Sequence, residues 1–125
     1  VKNPVFYADF NFDNLLAALA SNKIQFEELG KFPVVRRDLA MILDRTVTFS
    51  EIRQLAGKTG KTLLKAVNLF DVFEDEAKIG AGKKSYAVSF LFEDKQKTLK
   101  DSEIDALMQQ LQQAFEQKLK ASIRK

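Results

Sequence analysis

The stretch Ser85-Tyr-Ala-Val-Ser-Phe-Leu-Phe92 decides the fold. Tyr86, Val88, Phe90 and Phe92 are large and apolar, and they alternate with Ser85, Ala87, Ser89 and Leu91. A period of two predicts a strand with one face in a core and the other lined by smaller residues. Upstream, Leu63 to Phe73 is rich in Leu, Val and Phe and reads as a second long strand. The polar stretch between them, Glu74 to Lys84 with Gly80 and Gly82, suits a hairpin loop. Downstream, Ile104, Leu107, Met108, Leu111, Phe115 and Leu119 share one face of a helix over 101–119, with Leu99 placed to staple against Ile104. A short strand from Ala121 to Arg124 follows.

Further upstream, Val35, Leu39, Met41 and Leu43 alternate with Arg36, Asp38 and Ala40, the pattern of another half-buried strand. Thr48 and Glu51 form a capping box, with Val47 and Ile52 at staple positions. Phe49, Ile52, Leu55 and Ala56 then line a helix over 48–58 that Gly57 and Gly60 are expected to stop. From residue 34 the order is β-α-β-β-α-β. That predicts an α+β, ferredoxin-like split βαβ sandwich: a four-stranded antiparallel sheet, both helices on one face, the other face open. The fold alone says little about function.

Residues 1–31 read differently. Val5 to Phe10 is a short aromatic strand candidate, and Asp13 can cap a brief helix through Leu15, Leu16 and Leu19 to Ala20. Lys23 to Leu29 alternates at Ile24 and Phe26 like a strand, and Gly30 and Pro33 punctuate a boundary. The opening at Val1, without Met, suggests a piece of a longer protein.

Composition removes many chemistries. Cys and His are absent, so there is no disulfide framework, thiol nucleophile, thiolate metal site or imidazole base. No apolar run approaches the ~18 residues of a membrane span, and no signal peptide pattern opens the chain. Residues 1–30 carry two basic and four acidic side chains, whereas 31–125 carry 18 basic and 13 acidic. The basic excess of the second part is compatible with phosphate contacts, and equally with ordinary surface lysines.

Two glycine-lysine runs are decoys. Gly57-Lys-Thr-Gly-Lys-Thr62 lacks the spacing of a phosphate-binding loop, which would need Gly where Ile52 or Leu55 stands, and it joins a helix to a strand. Gly80-Ala-Gly-Lys-Lys84 joins two strands and is no dinucleotide fingerprint. The adjacent acids Glu74, Asp75 and Glu76 read as a solvated turn.

Four motifs, in order and in register, carry a family resemblance. Phe32-Pro-Val-Val-Arg-Arg-Asp-Leu-Ala40 resembles the F-P-x-V-R-R-D-L-A opening of the C-terminal ferredoxin-fold anticodon-binding domain of bacterial phenylalanyl-tRNA synthetase beta subunits. Leu69-Phe-Asp-Val-Phe73 is similar to that family's F-D-V-Y strand end, and Ile79-Gly-Ala-Gly-Lys-Lys-Ser-Tyr-Ala87 to its I-G-x-G-K-K-S-L-A. Thr98-Leu-Lys-Asp-Ser-Glu-Ile104 resembles T-L-T-D-E-E-V before the last helix. The chain departs from the pattern at Phe73, usually Tyr and often followed by Arg-Gly, and at Lys100, where a Thr cap is usual.

The resemblance implies one anticodon-binding domain over 32–125, with 1–31 as the tail of a preceding beta-subunit module. It implies that the open face holds the anticodon stem-loop of tRNA(Phe), where unstacked bases can be read by stacking and edge hydrogen bonds. Phe73 would supply a π-face, and Ser85 and Ala87 would allow close approach. Asp71 would accept from a base amino group, and Arg36, Lys83 and Lys84 would meet phosphates. It implies no catalytic, cofactor or metal site in this chain. ATP, Mg²⁺ and phenylalanine would be handled on the alpha subunit of a cytoplasmic alpha2beta2 enzyme, with no membrane or DNA partner. The alternative is a ligand-sensing or protein-docking module of the same fold, favoured by a continuous outward apolar patch, toward which Ile42 and Leu91 lean. An acyl-phosphate hydrolase would need a phosphate-cradling loop after the first strand, and Asp44-Arg-Thr-Val47 has no Gly.

Overall fold

The alternating stretches become the strands of one antiparallel sheet. The computed structural model describes residues 4–20, 22–23, 25–26 and 30–124. Within them the chain runs α1 (Phe12–Ala20), β1 (Val35–Asp44), α2 (Phe49–Gly60), a 3₁₀ turn (Lys61–Leu63), β2 (Leu64–Phe73), α3 (Glu76–Ile79), β3 (Lys83–Phe92), α4 (Asp101–Leu119) and β4 (Ser122–Arg124). The sheet order is β2-β3-β1-β4 and every pairing is antiparallel, the ferredoxin-like arrangement predicted.

The core lies on one side of this sheet. Leu39, Met41 and Leu43 of β1, with Tyr86, Val88, Phe90 and Phe92 of β3, point into it. Ile52, Leu55 and Ala56 of α2 and Ile104, Met108, Leu111 and Phe115 of α4 close over them. Phe90 and Phe115 meet with ring centroids 6.0 Å apart.

Local chemistry sets the helix ends. The Thr48 N–H donates to Glu51 Oε2 at 2.7 Å and the Glu51 N–H donates back to Thr48 Oγ1, completing the capping box. The helix, expected over 48–58 with Gly57 and Gly60 as its stop, passes Gly57 and ends at Gly60, where a Cβ would come within 2.6 Å of Leu64 Cβ. Only a residue without a side chain lets the turn pass this close to β2.

Before α4 the cap is half made. The Lys100 N–H donates to Glu103 Oε2 at 3.0 Å, but the lysine side chain has no acceptor to return to the helix. Lys100→Thr should complete the box and raise stability by about 1 kcal/mol, read as a higher midpoint in urea unfolding. An unchanged midpoint would show that the Glu103 half already satisfies this end.

The carboxylates of these caps set the acid response. Backbone donation from Thr48 holds Glu51 below the usual carboxylate range. Backbone donation from Lys100 and the ion pair with Lys97 do the same for Glu103, and the Thr46 hydroxyl for Asp44. A carboxylate depressed in the folded state contributes stability above its unfolded pKa and loses it as pH falls through the folded one. Stability should therefore be flat around neutrality, where no His titrates, and decline below about pH 4. Urea midpoints across pH check this. A decline between about pH 8 and 6 would contradict it.

The first residues depart from expectation. Val5 to Phe10 is not a strand, because strand geometry needs a partner and these residues sit exposed. The described residues among 23–29 (Lys23, Gln25 and Phe26) form no strand either, and the remainder of that stretch lies outside the described residues. The helix expected after Val5 to Phe10 does form. Its cap, however, is Asn11, whose Oδ1 accepts from the Asn14 N–H at 3.0 Å; Asp13 sits one step inside, in the first turn. α1 buries none of its residues, so Leu15, Leu16 and Leu19 face outward.

Candidate nucleic-acid interface

Strand register lays out the open face row by row. One row reads Asp71, Ala87, Ala40, Arg124 across β2, β3, β1 and β4; the next reads Phe73, Ser85, Ile42, Ser122. The two central strands carry Ala87, Ala40 and Ser85 with the larger Ile42, and the outer ones carry Asp71, Phe73 and Arg124 with the small Ser122. Asp71, Phe73, Ser85, Ala87, Ala40 and Ile42 line a hollow of about 450 Å³, with Lys78, Ile79 and Arg124 at its rim. Ser85 is 6% exposed and forms the floor, while Phe73 is 36% exposed and forms a wall.

The loop after β2 shapes that wall. Asp75 caps the short α3 by accepting from the Ala77 N–H at 3.0 Å, and Glu74 pairs with Arg45 at 2.8 Å. These acids thus turn to separate partners and do not converge as a ligand set. The loop brings Lys78 Nζ within 5.7 Å of the Phe73 ring centroid. Gly80, at φ 96°, returns the chain into β3 through a conformation that side chains rarely adopt.

Four of the seven residues singled out from sequence thus share one hollow: Asp71, Phe73, Ser85 and Ala87. Lys83 is exposed at the mouth of the hairpin, opposite Asp44. Lys84 does not join them. It points to the helix side with Tyr86, is 8% exposed, and rests its ammonium 4.5 Å from that ring's centroid. Arg36 is on the open face but in a row beyond the hollow, opposite Leu91. Its guanidinium grips Asp38 through two hydrogen bonds, at 2.8 and 3.1 Å, and the hydrogen bond to Asp38 raises its pKa further. Arg37, on the other face, ties β1 to α4 through Asp101 at 2.8 Å.

Sequence reading missed Lys78, Ile79 and Arg124. Lys78 and Ile79 stand in a stretch read as a polar hairpin loop, and the α3 turn aims them. Arg124 carried a usable signal: it shares its parity with Ser122 on an outer strand and so stands on the face of Ala40.

Residues 30–124 match the family model of the ferredoxin-fold anticodon binding domain. The chain belongs to the ferredoxin-fold anticodon-binding domain family. Its relatives include the phenylalanine–tRNA ligase beta subunit of Bacteroides thetaiotaomicron, 51% identical over 124 residues, which are 99% of this chain and 15% of that protein. The beta subunit of Porphyromonas gingivalis is 44% identical over the same shares, and that of Streptococcus mutans 37% identical over 95% of this chain and 15% of its own. The chain thus spans about 15% of the length of these curated relatives. For an anticodon-binding domain, the arrangement offers a flat floor of small residues, an aromatic wall, a carboxylate acceptor and cations at the rim. Those are the groups that single-stranded bases and their phosphates engage. Among the described residues no helix is long and apolar enough to cross a membrane.

Proposed function

We propose that this chain holds the anticodon stem-loop of tRNA(Phe) on the open face of its sheet, as the tRNA-gripping part of a phenylalanine–tRNA ligase. The observation that carries the reading is the convergence of Asp71, Phe73, Ser85 and Ala87 on one hollow rimmed by Lys78 and Arg124. A base laid over Ser85 and Ala87 can stack against Phe73 while its amino edge faces Asp71. Arg124, Lys78 and Lys83 stand where phosphates of the loop would pass. The protein-docking alternative is weaker. Ile42 and Leu91 sit at opposite ends of the face, paired with Ser85 and Arg36, so they make no continuous apolar patch.

The wider setting follows from the relatives' being beta subunits. We assign the chain an alpha-subunit partner in a cytoplasmic enzyme, with ATP and Mg²⁺ used at a site outside this chain. Residues 1–31 belong in this reading to a preceding module, which would cover the outward apolar side chains of α1.

The test is a titration against tRNA(Phe) and against the same tRNA with a swapped anticodon. Tighter binding of tRNA(Phe) by roughly tenfold or more is expected, since a swapped base still stacks but loses its edge hydrogen bonds, and each partner left unsatisfied costs ~1–3 kcal/mol. Equal affinity for both would leave only a phosphate-binding surface.

A further inference from the structure

We infer that Arg36 and Phe70 form a second base-stacking platform on the open face, one that takes a different nucleotide of the same loop from the one on Phe73. The inference rests on the RNA reading above.

Strict alternation from Phe73 and Asp71 would turn Phe70 toward the helices. A register shift between Leu69 and Asp71 prevents this, and the extra residue stands out on the open side. Phe70 is consequently 54% exposed, an unusual position for a large apolar ring on a strand. The Arg36 guanidinium lies over that ring, 5.5 Å from its centroid. Asp38 holds the same guanidinium by a two-bond fork, which fixes the plane and offsets the charge. Beneath them Ser89, in register with both Asp38 and Asn68, is 4% exposed despite facing the open side.

A guanidinium already paired with a carboxylate is a poor phosphate clamp, because its charge is spent on Asp38. It remains a flat, weakly hydrated plane backed by an aromatic ring, and such planes stack on bases. The two platforms lie about three residues apart along β2, roughly 10 Å, far enough for separate nucleotides of a splayed loop.

The experiment separates stacking from charge. The full chain and its variants are titrated by NMR into an RNA stem-loop bearing the tRNA(Phe) anticodon, at two salt concentrations. Arg36→Lys, which keeps the charge beside Asp38, should weaken binding by roughly five- to a hundred-fold with the salt dependence unchanged, and Arg36→Ala should weaken it at least as much. Phe70→Ala should weaken it as well. Repeating the titrations with single abasic substitutions in the loop should abolish the Arg36 effect at one nucleotide and the Phe73 effect at another. Arg36→Lys binding like wild type would make Arg36 a charge contact and overturn the inference. Coupling of both residues to one nucleotide would overturn it too. Those outcomes leave the function intact if Phe73→Ala still weakens binding. Loss of no affinity in any variant, or no binding by wild type, would instead bring down the functional reading on which this rests.

Discussion

Phe73→Ala should weaken binding to the tRNA(Phe) anticodon stem-loop by roughly 5- to 150-fold while leaving the fold intact. The ring stands at the wall of the hollow, more than a third exposed, so removing it takes little from the core. Stacking of one base on an aromatic ring is worth ~1–3 kcal/mol, which is the stated range in affinity. Lys78 already lies over the ring, with its ammonium paired to Asp75 at 3.5 Å, and a base arriving there must share or displace it; the effect should therefore fall below the top of the range. The salt dependence should not change, because a ring neutralises no phosphate. Lys83→Ala should do the reverse, weakening all tRNAs alike and flattening the salt dependence. Circular dichroism and titration at two salt concentrations measure both. A folded Phe73→Ala variant that binds like wild type would place the recognition surface elsewhere.

The largest effect on stability is expected at Phe115. This ring is fully buried under the sheet and packs against Phe90, so Phe115→Ala removes a large apolar side chain from a site the backbone cannot collapse onto. Truncations of this kind typically lower stability by about 3–5 kcal/mol. That is a large share of the ~5–15 kcal/mol available to a domain of this size. Urea unfolding should show a strongly shifted midpoint with an unchanged slope. A loss below about 1 kcal/mol would mean that α4 is not the principal cover of the core.

The parts of the fold that were legible in the sequence are those governed by a period. β1, β3 and α4 each bury one regular set of residues, and a period of two or of 3.6 is visible without coordinates. The Thr48–Glu51 box was equally plain, because its chemistry is local. Of the two glycines read as the stop of α2, Gly57 only weakens the helix, and the end falls at Gly60, where Leu64 approaches closely. Val5 to Phe10 had the composition of a strand, but composition cannot supply a neighbour to pair with.

The site was legible to the extent that parity was. Ser85 and Ala87 follow from alternation in β3, whereas Asp71 and Phe73 were singled out by the family resemblance and reach the open face only through the register shift after Leu69. Lys84 shares its parity with Tyr86, so its place on the helix side was readable, although its charge suggested a phosphate contact. Phe70 was not readable, since its orientation depends on an irregularity of register that no local pattern announces. Lys78 depended on a four-residue helix inside a polar loop.

The most direct measurement is a map of backbone amide shifts in the labelled chain as the tRNA(Phe) anticodon stem-loop is added. Perturbations should concentrate at Asp71, Phe73, Ser85, Ala87, Ala40 and Arg124, with α2 and α4 silent on the other side of the sheet. Perturbations centred on α2 and α4, or none on the open face, would contradict the assignment of that face as the RNA surface.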